Sequence, residues 1–262
     1  MSFSLEGRAA LVCGSTQGIG LACAAELARC GAEVTLMARH EEALRKACSE
    51  LPRGHKQSHR FLVADFADWK LVRDRAAAHA EASGPVHILL NNTGGPAPGA
   101  LVEAAPDELL AAFSQHVLCN QVLAQTFVPG MRQAGYGRII NIVSTSVVQP
   151  IRGLGVSNVI RGAVGNWARA LAGELGPFGI TVNNVLPGYT RTARLGTLIE
   201  GRARRAGATP EEIEQQMIVH VPLGRFATPQ EIGAVAAFLA TPAASYLNGV
   251  NLPVDGGRLA VQ

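Results

Sequence analysis

A short apolar run that leads into three closely spaced glycines constrains this chain more than any other feature. Residues 9–13 are small or apolar, Gly14, Gly18 and Gly20 follow, and residues 21–30 continue as an apolar amphipathic run. This order predicts a buried strand, a tight turn and a helix. The start of such a helix carries unpaired N–H groups and a partial positive charge, which together suit a phosphate. The glycine spacing also fits a plain tight turn, so both interpretations stay open at this point.

Short apolar strands alternate with helical stretches along the whole chain. The predicted strands after the first are residues 33–38, 61–64, 86–90, 138–143, 180–185 and 250–254. The predicted helices are residues 21–30, 41–51, 68–82, 106–131, 155–175 and 229–240. A charged segment at 190–220 is expected to form mobile helices. This alternation predicts a doubly wound α/β fold, with a parallel sheet that helices cover on both faces. No low-complexity linker divides the chain, so we expect one domain over residues 1–262.

The composition argues against several classes of partner and location. The chain has 262 residues, 48% of them hydrophobic, and a net charge of only +3 without a basic run, so nucleic acid is not expected as a partner. Residues 1–8 lack the apolar core of a signal peptide, and no apolar run approaches the length of a membrane span, so no membrane association is expected. The five cysteines are never spaced Cys-x-x-Cys, which favours reduced, buried thiols and a cytoplasmic protein.

Residues that directly follow the predicted strands are the candidates for a ligand site. In doubly wound sheets, ligands bind beyond the carboxyl ends of the strands, near the point where the strand order reverses. The residues in such positions are 14–20, Arg39, Asp65, 91–95, Ser144 and 187–192. We therefore expect the site to be assembled from segments that lie far apart in the sequence.

Six short motifs occur along the chain in an order that is typical of one protein family. They are the glycine loop at 14–20, Asn-Asn-Thr-Gly at 91–94, Asn-Ile-Val-Ser at 141–144, Pro-Gly-Tyr-Thr-Arg-Thr at 187–192, Pro-Leu-Gly-Arg at 222–225 and Val-Asp-Gly-Gly at 254–257. The set resembles the short-chain dehydrogenases/reductases, and its last two members resemble the 3-oxoacyl-carrier-protein reductase branch of that family. Cys13 departs from the pattern, because the family usually has Thr there.

The resemblance implies a Rossmann fold of about seven parallel strands, a nicotinamide cofactor and a homotetramer built through the helices at 106–131 and 155–175. It places Asp65 near the adenine, and Asn92 and Gly94 beside the ribose. The residues that it places around the pyrophosphate and the adenosine ribose are Gly14, Ser15, Gly18, Ile19 and Gly20. The Pro-Gly-x-x-x-Thr motif adds three more residues to the implied cofactor site, which are Pro187, Gly188 and Thr192.

The end of the second predicted strand indicates which nicotinamide cofactor is used. An enzyme for NAD commonly places an Asp or Glu there to hold the ribose 2′-hydroxyl. Here the strand ends at Ala38 and is followed by Arg39 and His40. A guanidinium suits a 2′-phosphate through paired charged hydrogen bonds, so Arg39 favours NADP over NAD. The alternative is a solvated surface arginine at a turn, although a cation at the start of a helix opposes the helix dipole.

The catalytic positions depart from the family's pattern. The family uses a Tyr thirteen residues after its catalytic Ser, and a Lys four residues further on; counting from Ser144 gives Ser157 and Arg161 instead. No realignment restores the pair, because none of the three tyrosines has a Lys four residues later. A fourth family position, an Asn about thirteen residues before a Pro, falls on His116 when it is counted from Pro129.

The predicted catalytic site is therefore Ser144, Ser157, Arg161 and His116. Ser144 hydrogen-bonds the substrate carbonyl or, alternatively, binds only backbone at the end of its strand. Arg161 replaces the Lys charge and binds ribose hydroxyls, or it is a salt-bridged helix residue. Ser157 is a far weaker acid than a phenol, whose reference pKa is about 10. His116 has a better intrinsic range for a proton donor, although a lone helical His is more often structural, and Asn120 lies one turn further on.

Two functions remain open from the sequence. The first is an NADPH-dependent carbonyl reductase or the reverse alcohol dehydrogenase, which the resemblance directs to 3-oxoacyl substrates. The second is a non-catalytic nucleotide-binding scaffold or redox sensor that keeps the fold, since a fold alone does not fix function. The segment 190–220 is expected to border the substrate as a lid. Its arginines either attract an anionic acyl carrier or form a solvated face; they are Arg191, Arg194, Arg202, Arg204 and Arg205.

Overall fold

The computed structural model describes residues 2–54 and 57–261, which build one parallel sheet with helices packed against it. The strands are β1 Ala9–Cys13, β2 Glu33–Ala38, β3 Arg60–Val63, β4 Ile88–Asn91, β5 Gly137–Ile142, β6 Ile180–Pro187 and β7 Asn251–Val254. They lie in the order β3-β2-β1-β4-β5-β6-β7, and every neighbouring pair is parallel. The predicted doubly wound sheet of about seven strands is therefore confirmed.

The helices follow the strands along the chain, as the alternating pattern predicts. Within the described residues they are α1 Gly18–Arg29, α2 Glu41–Glu50, α3 Trp69–Ser83, α4 Pro106–Phe113, α5 Cys119–Ala134, α6 Gly155–Leu175, α7 Ala193–Ala206, α8 Pro210–Ile218 and α9 Pro229–Ala240. None of these helices is long and apolar enough to cross a membrane.

Successive residues of β1 enter two different cores, one on each face of the sheet. Ala10 and Val12 pack with α1, α2 and α9, whereas Leu11 and Cys13 pack with α3, α5 and α6. Side chains alternate along a strand with a period of two, so a strand covered on both faces must be apolar throughout. This explains why residues 10–13 form an uninterrupted apolar run.

The strand order reverses at β1, which lies between β2 and β4. Val12 pairs with Leu36 on one side and with Leu90 on the other. In doubly wound sheets, the crevice beyond the carboxyl ends of the strands at this point is the usual ligand site. The glycine loop follows β1 and Asn92 follows β4, so the fold brings both to that crevice.

The predicted helix at 106–131 is wrong as a single element. The structure has α4, then a wide turn of π-helix at 114–118, and then α5. The sequence carries no Gly or Pro between Pro106 and Pro129 that would mark the interruption. The turn instead coincides with a tertiary hydrogen bond, in which His116 Nδ1 lies 2.6 Å from Thr93 Oγ1. Such wide turns interrupt α-helices frequently at functional sites.

The charged segment at 190–220 forms α7 and α8, which share a small core of their own. Thr192 begins α7 by accepting a hydrogen bond from the Leu195 N–H, and Thr209 begins α8 by accepting one from the Glu212 N–H. The core of the two helices is separate from the cores under the sheet and contains Leu195, Ile199, Ala203, Ile213, Met217 and Phe226. The helices are thus present as predicted, and their mobility stays a prediction.

Candidate active site

The glycine loop between β1 and α1 is held in a conformation that side chains would disrupt. Gly14 has a φ of +57°, and a Cβ atom there would overlap the backbone carbonyl oxygen of Asn92. A Cβ atom at Gly20 would overlap the carbonyl oxygen of Gly14. The Asn92 amide donates to the carbonyl oxygens of Gly14 at 3.1 Å and Cys13 at 3.3 Å, which ties β4 to the loop. Close approach of backbone therefore requires these glycines.

A cleft of about 350 Å³ opens at the start of α1, where the first N–H groups of the helix have no partners within it. Its shape and amides fit the pyrophosphate of a dinucleotide. Eight of the twelve residues predicted for the cofactor line this cleft, and they are Gly14, Gly18, Ile19, Arg39, Asp65, Asn92, Gly94 and Thr192.

The other four predicted cofactor residues lie elsewhere. Ser15 is fully buried, and its Oγ accepts the Met37 N–H at 3.0 Å, so this hydroxyl fixes the loop to β2. Gly20 packs beneath Gly14, as described above. Pro187 and Gly188 line a second cleft next to the first. Ser15 and Gly20 thus shape the loop without lining the cleft.

Arg39 lines the cofactor cleft and lies directly after β2. Its side chain is exposed, and its Nε donates to His40 Nε2 at 3.0 Å. Among residues 2–54 and 57–261, no carboxylate forms an ion pair with Arg39. The guanidinium and the His40 ring therefore form an edge of the cleft that suits a phosphate.

Ser144, Ser157 and Arg161 come together in the second cleft, which has a volume of about 210 Å³. Its lining shares Asn92 and Thr192 with the cofactor cleft, so the two are continuous. Ser144 follows β5, and Ser157 lies with Arg161 one helical turn apart on α6. The three predicted catalytic residues Ser144, Ser157 and Arg161 thus face one space beside the cofactor cleft.

Ser144 keeps its hydroxyl hydrogen available for a ligand. Its Oγ accepts the Ser146 N–H at 3.1 Å, which caps a short turn at 145–147. A hydroxyl that accepts one hydrogen bond still has its own O–H to donate. Ser144 can therefore cap the turn and polarise a carbonyl at the same time.

Arg161 is a half-buried cation that faces a second cation. Its Nη1 donates to the Ile142 carbonyl at 3.0 Å, which anchors α6 to the end of β5. Arg194 donates to the carbonyls of Gly95 at 2.8 Å and Pro96 at 2.9 Å. Burial and the nearby Arg194 lower the pKa of Arg161 to about 10, so the guanidinium stays charged at neutral pH. Within the described residues, neither guanidinium is paired with a carboxylate.

His116 lies behind the cleft rather than in it. The ring is 2% exposed and lines a cavity of about 10 Å³ together with Asn91, Asn120 and Arg161. Burial first, and then the charges of Arg161 and Arg194, lower the pKa of His116 to about 3. The ring is therefore neutral at physiological pH, which argues against the predicted role of an imidazolium proton donor. A neutral ring can still position Thr93 through their hydrogen bond.

We predict that the pH profile of kcat/KM shows no inflection from the titration of a histidine. For any reduction in this cleft, kcat/KM is expected to be flat from about pH 5 to about pH 9, because His116 is already neutral there. No fall in activity from deprotonation of Arg161 is expected in this range either, because its guanidinium stays charged. The profile should keep this shape in His116→Gln. An inflection near neutral pH that disappears in His116→Gln would contradict the assignment.

A row of hydrogen-bonded asparagines that crosses four strands was missed in the sequence analysis. Asn91 donates to Asn141 at 2.8 Å, Asn141 donates to Asn184 at 2.9 Å, and Asn184 donates to Asn251 at 2.8 Å. These residues are register partners across β4, β5, β6 and β7. The row fixes the strand ends that deliver Asn92 and Ser144 to the clefts. Its signal in the sequence is a polar amide inside otherwise apolar strands.

The chain is similar to known proteins along nearly its whole length. Residues 14–258 match the sequence profile of a family described as enoyl-(acyl carrier protein) reductase. The chain is 34% identical over 256 residues to gluconate 5-dehydrogenase of Gluconobacter oxydans strain 621H, with coverage of 97% of this chain and 96% of that protein. It is 33% identical over 256 residues to a 3-oxoacyl-[acyl-carrier-protein] reductase of Pseudomonas aeruginosa, with coverage of 97% and 98%.

The fold also matches a solved structure over nearly its full length. L-sorbose reductase from Gluconobacter frateurii, solved in complex with NADPH and L-sorbose, has a TM-score of 0.92, a sequence identity of 31% and a coverage of 99% of both chains. The profile spans the glycine loop, strands β2 to β7 and the C-terminal motif. The chain belongs to the short-chain dehydrogenase/reductase family of oxidoreductases.

Proposed function

We propose that the protein is an NADPH-dependent carbonyl reductase in which Ser157 and Arg161 take the places of the family's phenol and ammonium groups. One observation carries the proposal: Ser144, Ser157 and Arg161 line one cleft that is continuous with the cofactor cleft. The bound nicotinamide supplies the hydride. Family membership supports the reaction type, and the P. aeruginosa relative suggests 3-oxoacyl compounds as a substrate class.

Three side chains of the cleft have separate roles in the reduction. Ser144 donates its O–H to the substrate carbonyl oxygen. Arg161 stabilises the negative charge that develops on that oxygen, and it does so without reorganisation because its Nη1 is already fixed on the Ile142 carbonyl. The alkoxide then takes a proton from water through the Ser157 hydroxyl. An alcohol is a poor acid, so we expect proton delivery to limit the rate.

A panel assay tests this function. NADPH oxidation is measured with simple ketones and 3-oxoacyl thioesters, for the unmodified protein and for Ser144→Ala. We expect turnover with at least one substrate and a loss of about a hundredfold or more in Ser144→Ala, the usual cost of one preorganised donor to an oxyanion. NADPH binding without turnover on any carbonyl would favour the alternative, a non-catalytic nucleotide-binding scaffold or redox sensor. Two observations favour this alternative: the Ser157 hydroxyl is a weak acid, and the His116 ring is neutral.

The cofactor prediction rests on Arg39. The related L-sorbose reductase was solved with NADPH, which bears out NADP as the cofactor of this family branch. We predict that this protein binds NADPH more tightly than NADH and that Arg39→Ala removes most of the difference. Loss of paired charged hydrogen bonds, ~1.5–3 kcal/mol, should weaken NADPH binding by roughly ten- to a hundredfold.

Equilibrium binding of NADPH and NADH measures this preference. Arg45→Ala is the matched control, because Arg45 is an exposed arginine on the next turn of α2 that does not line the cleft. NADH affinity should be the same in all three proteins. Equal affinities for the two cofactors in the unmodified protein would overturn the role of Arg39.

We also propose that the segment 190–220 acts as a lid within a single domain of residues 1–262. Leu195, Leu198 and Arg202 of α7 line the cleft that holds Ser144. The separate core of α7 and α8 supports movement of these helices as a unit, because few of their apolar contacts would be broken. Cytoplasmic location is proposed on the five cysteines, which are all free thiols.

We propose that the protein assembles as a homotetramer. Exposed apolar side chains on α4 and α6 support this proposal. Leu110, Phe113 and Val159 are 66%, 41% and 45% exposed, which leaves apolar side chains uncovered on both helices. We predict that Phe113→Glu lowers the mass measured by light scattering, since a charge cannot be buried unpaired in such an interface. Val219→Glu, at an 81% exposed position after α8, should leave the mass unchanged. An unaltered tetramer in Phe113→Glu would reject this surface.

A further inference from the structure

The structure places one more arginine against the Ser144 cleft, from the C-terminal end of the chain. Arg258 begins a short turn at 258–261 after β7. The carboxylate of Asp255 fixes this turn by accepting the N–H groups of Gly257 at 3.0 Å and Leu259 at 2.8 Å. The turn directs the Arg258 side chain back toward the end of β5, where it lines the same cleft as Ser144.

Arg258 is buried, and no carboxylate within residues 2–54 and 57–261 forms an ion pair with it. The residue is 8% exposed, its Nη1 lies 3.4 Å from Thr145 Oγ1, and its guanidinium stacks on the Tyr189 ring at 4.6 Å. Its Nε has no hydrogen-bond partner among the described residues. One long hydrogen bond and one aromatic face do not neutralise a cation, and buried charges are normally paired.

Other cationic side chains line this space. Arg202 of α7 lines the cleft and also an outer recess of about 400 Å³ that Arg258 borders as well. Arg152 and His220 also line that recess. Within the described part of the chain, no Asp or Glu lines either space. The cleft and the recess therefore form a positively charged pocket around the carbonyl position.

Arg258 and Arg202 are separate from the cofactor cleft, whose lining includes neither of them. Their charge is thus directed at the substrate side of the site. A guanidinium binds carboxylate and phosphate oxygens through paired, charge-assisted hydrogen bonds. The unpartnered Nε of Arg258 offers a donor of this kind inside the pocket.

We propose that the substrate carries an anionic oxygen group, a carboxylate or a phosphate, which Arg258 and Arg202 bind while its carbonyl lies at Ser144. This assignment rests on the proposed carbonyl reduction, whose site it completes. The proposal gives different roles to two arginines of the segment 190–220. Arg202 faces the pocket, whereas Arg191 is paired with Glu214 at 2.6 Å on the outside.

Calorimetric binding to the protein loaded with oxidised NADP, which has no hydride to transfer, tests the anion site separately from turnover. The probes are 2-oxohexanoate and 5-oxohexanoate with their methyl esters, and dihydroxyacetone phosphate with dihydroxyacetone. We expect at least one acid or phosphate to bind about tenfold or more tightly than its neutral partner. The carboxylate and phosphate arms identify which anion the pocket takes.

Variants tie the preference to the named residues. Arg258→Gln and Arg202→Gln should each reduce the preference for the anion about tenfold, and Arg258→Lys should retain part of it. Arg204→Gln is the matched control, since Arg204 is an exposed residue of α7 outside both linings. Equal binding of charged and neutral probes would overturn the proposal, as would a preference that survives both Gln variants.

Turnover measured with the same probes separates the two proposals. Preferential binding of an anion without reduction of any probe would reject carbonyl reduction and leave the anion site standing. Reduction of neutral ketones with no preference for their charged counterparts would leave carbonyl reduction standing and reject the anion site.

Discussion

Ser157→Tyr combined with Arg161→Lys is expected to raise reductase activity on a simple 3-oxoacyl ester by about a hundredfold or more. Positions 157 and 161 lie one turn apart on α6, and both line the cleft that contains Ser144. A phenol, whose reference pKa is about 10, is a far stronger acid than the Ser157 alcohol, and an adjacent ammonium strengthens it further. General acid catalysis is commonly worth about a hundredfold or more, so the gain should be easy to measure.

Ser157→Phe with Arg161→Lys is the matched control for that gain. It adds the same aromatic bulk to the cleft without the hydroxyl, and it should show no increase in kcat. Adding Ser144→Ala to the Tyr/Lys variant should abolish the gain, because carbonyl and acid must be held together. A Tyr/Lys variant that binds NADPH normally but reduces no ketone would show that the pocket does not accept a carbonyl.

Arg161→Met is expected to lower kcat/KM by roughly a hundred- to a thousandfold, the usual cost of removing one preorganised donor to an oxyanion. The guanidinium lies beside Ser157 and is fixed on the Ile142 carbonyl, so its charge reaches the reacting oxygen without rearrangement. NADPH affinity should also fall if Arg161 binds the ribose. Steady-state kinetics and cofactor titration measure the two effects separately.

Arg169→Met provides the comparison for Arg161→Met, because Arg169 is an exposed arginine two turns further along α6. It should leave both kinetics and cofactor affinity unchanged. If Arg161→Met kept full activity, its charge would have no part in the reaction, and Ser144 would act without a cation.

The sequence predicts the architecture well wherever local pattern decides the structure. Residues 155–175 and 229–240 form α6 and α9 with the predicted bounds, and the glycine loop lies at the reversal point of the sheet. Along this chain, short apolar runs of strand length alternate with segments of helical period. Few folds are compatible with that alternation. The motif spacing likewise brings Ser144, Ser157 and Arg161 into one cleft, since helix geometry fixes the last two relative to each other.

Features that depend on contacts between residues far apart in the sequence could not be predicted from it. The wide turn at 114–118 carries no local signal and coincides with the bond from His116 to Thr93. The charges that help to keep His116 neutral come from Arg161 on α6 and Arg194 on α7, which lie far along the chain. Arg258 and Thr145 are 113 residues apart in the sequence, so only the folded chain shows that Arg258 faces the cleft.

Deuterium transfer tests the central claim most directly. The protein is incubated with a carbonyl substrate and NADPH that carries deuterium at the transferable position, and the product is examined by NMR. The account predicts deuterium on the carbinol carbon of the product formed by the unmodified protein, and about a hundredfold less of that product with Ser144→Ala. Saturating NADPH binding with no deuterated alcohol from any carbonyl substrate would contradict the assignment of Ser144, Ser157 and Arg161 as a reductase site.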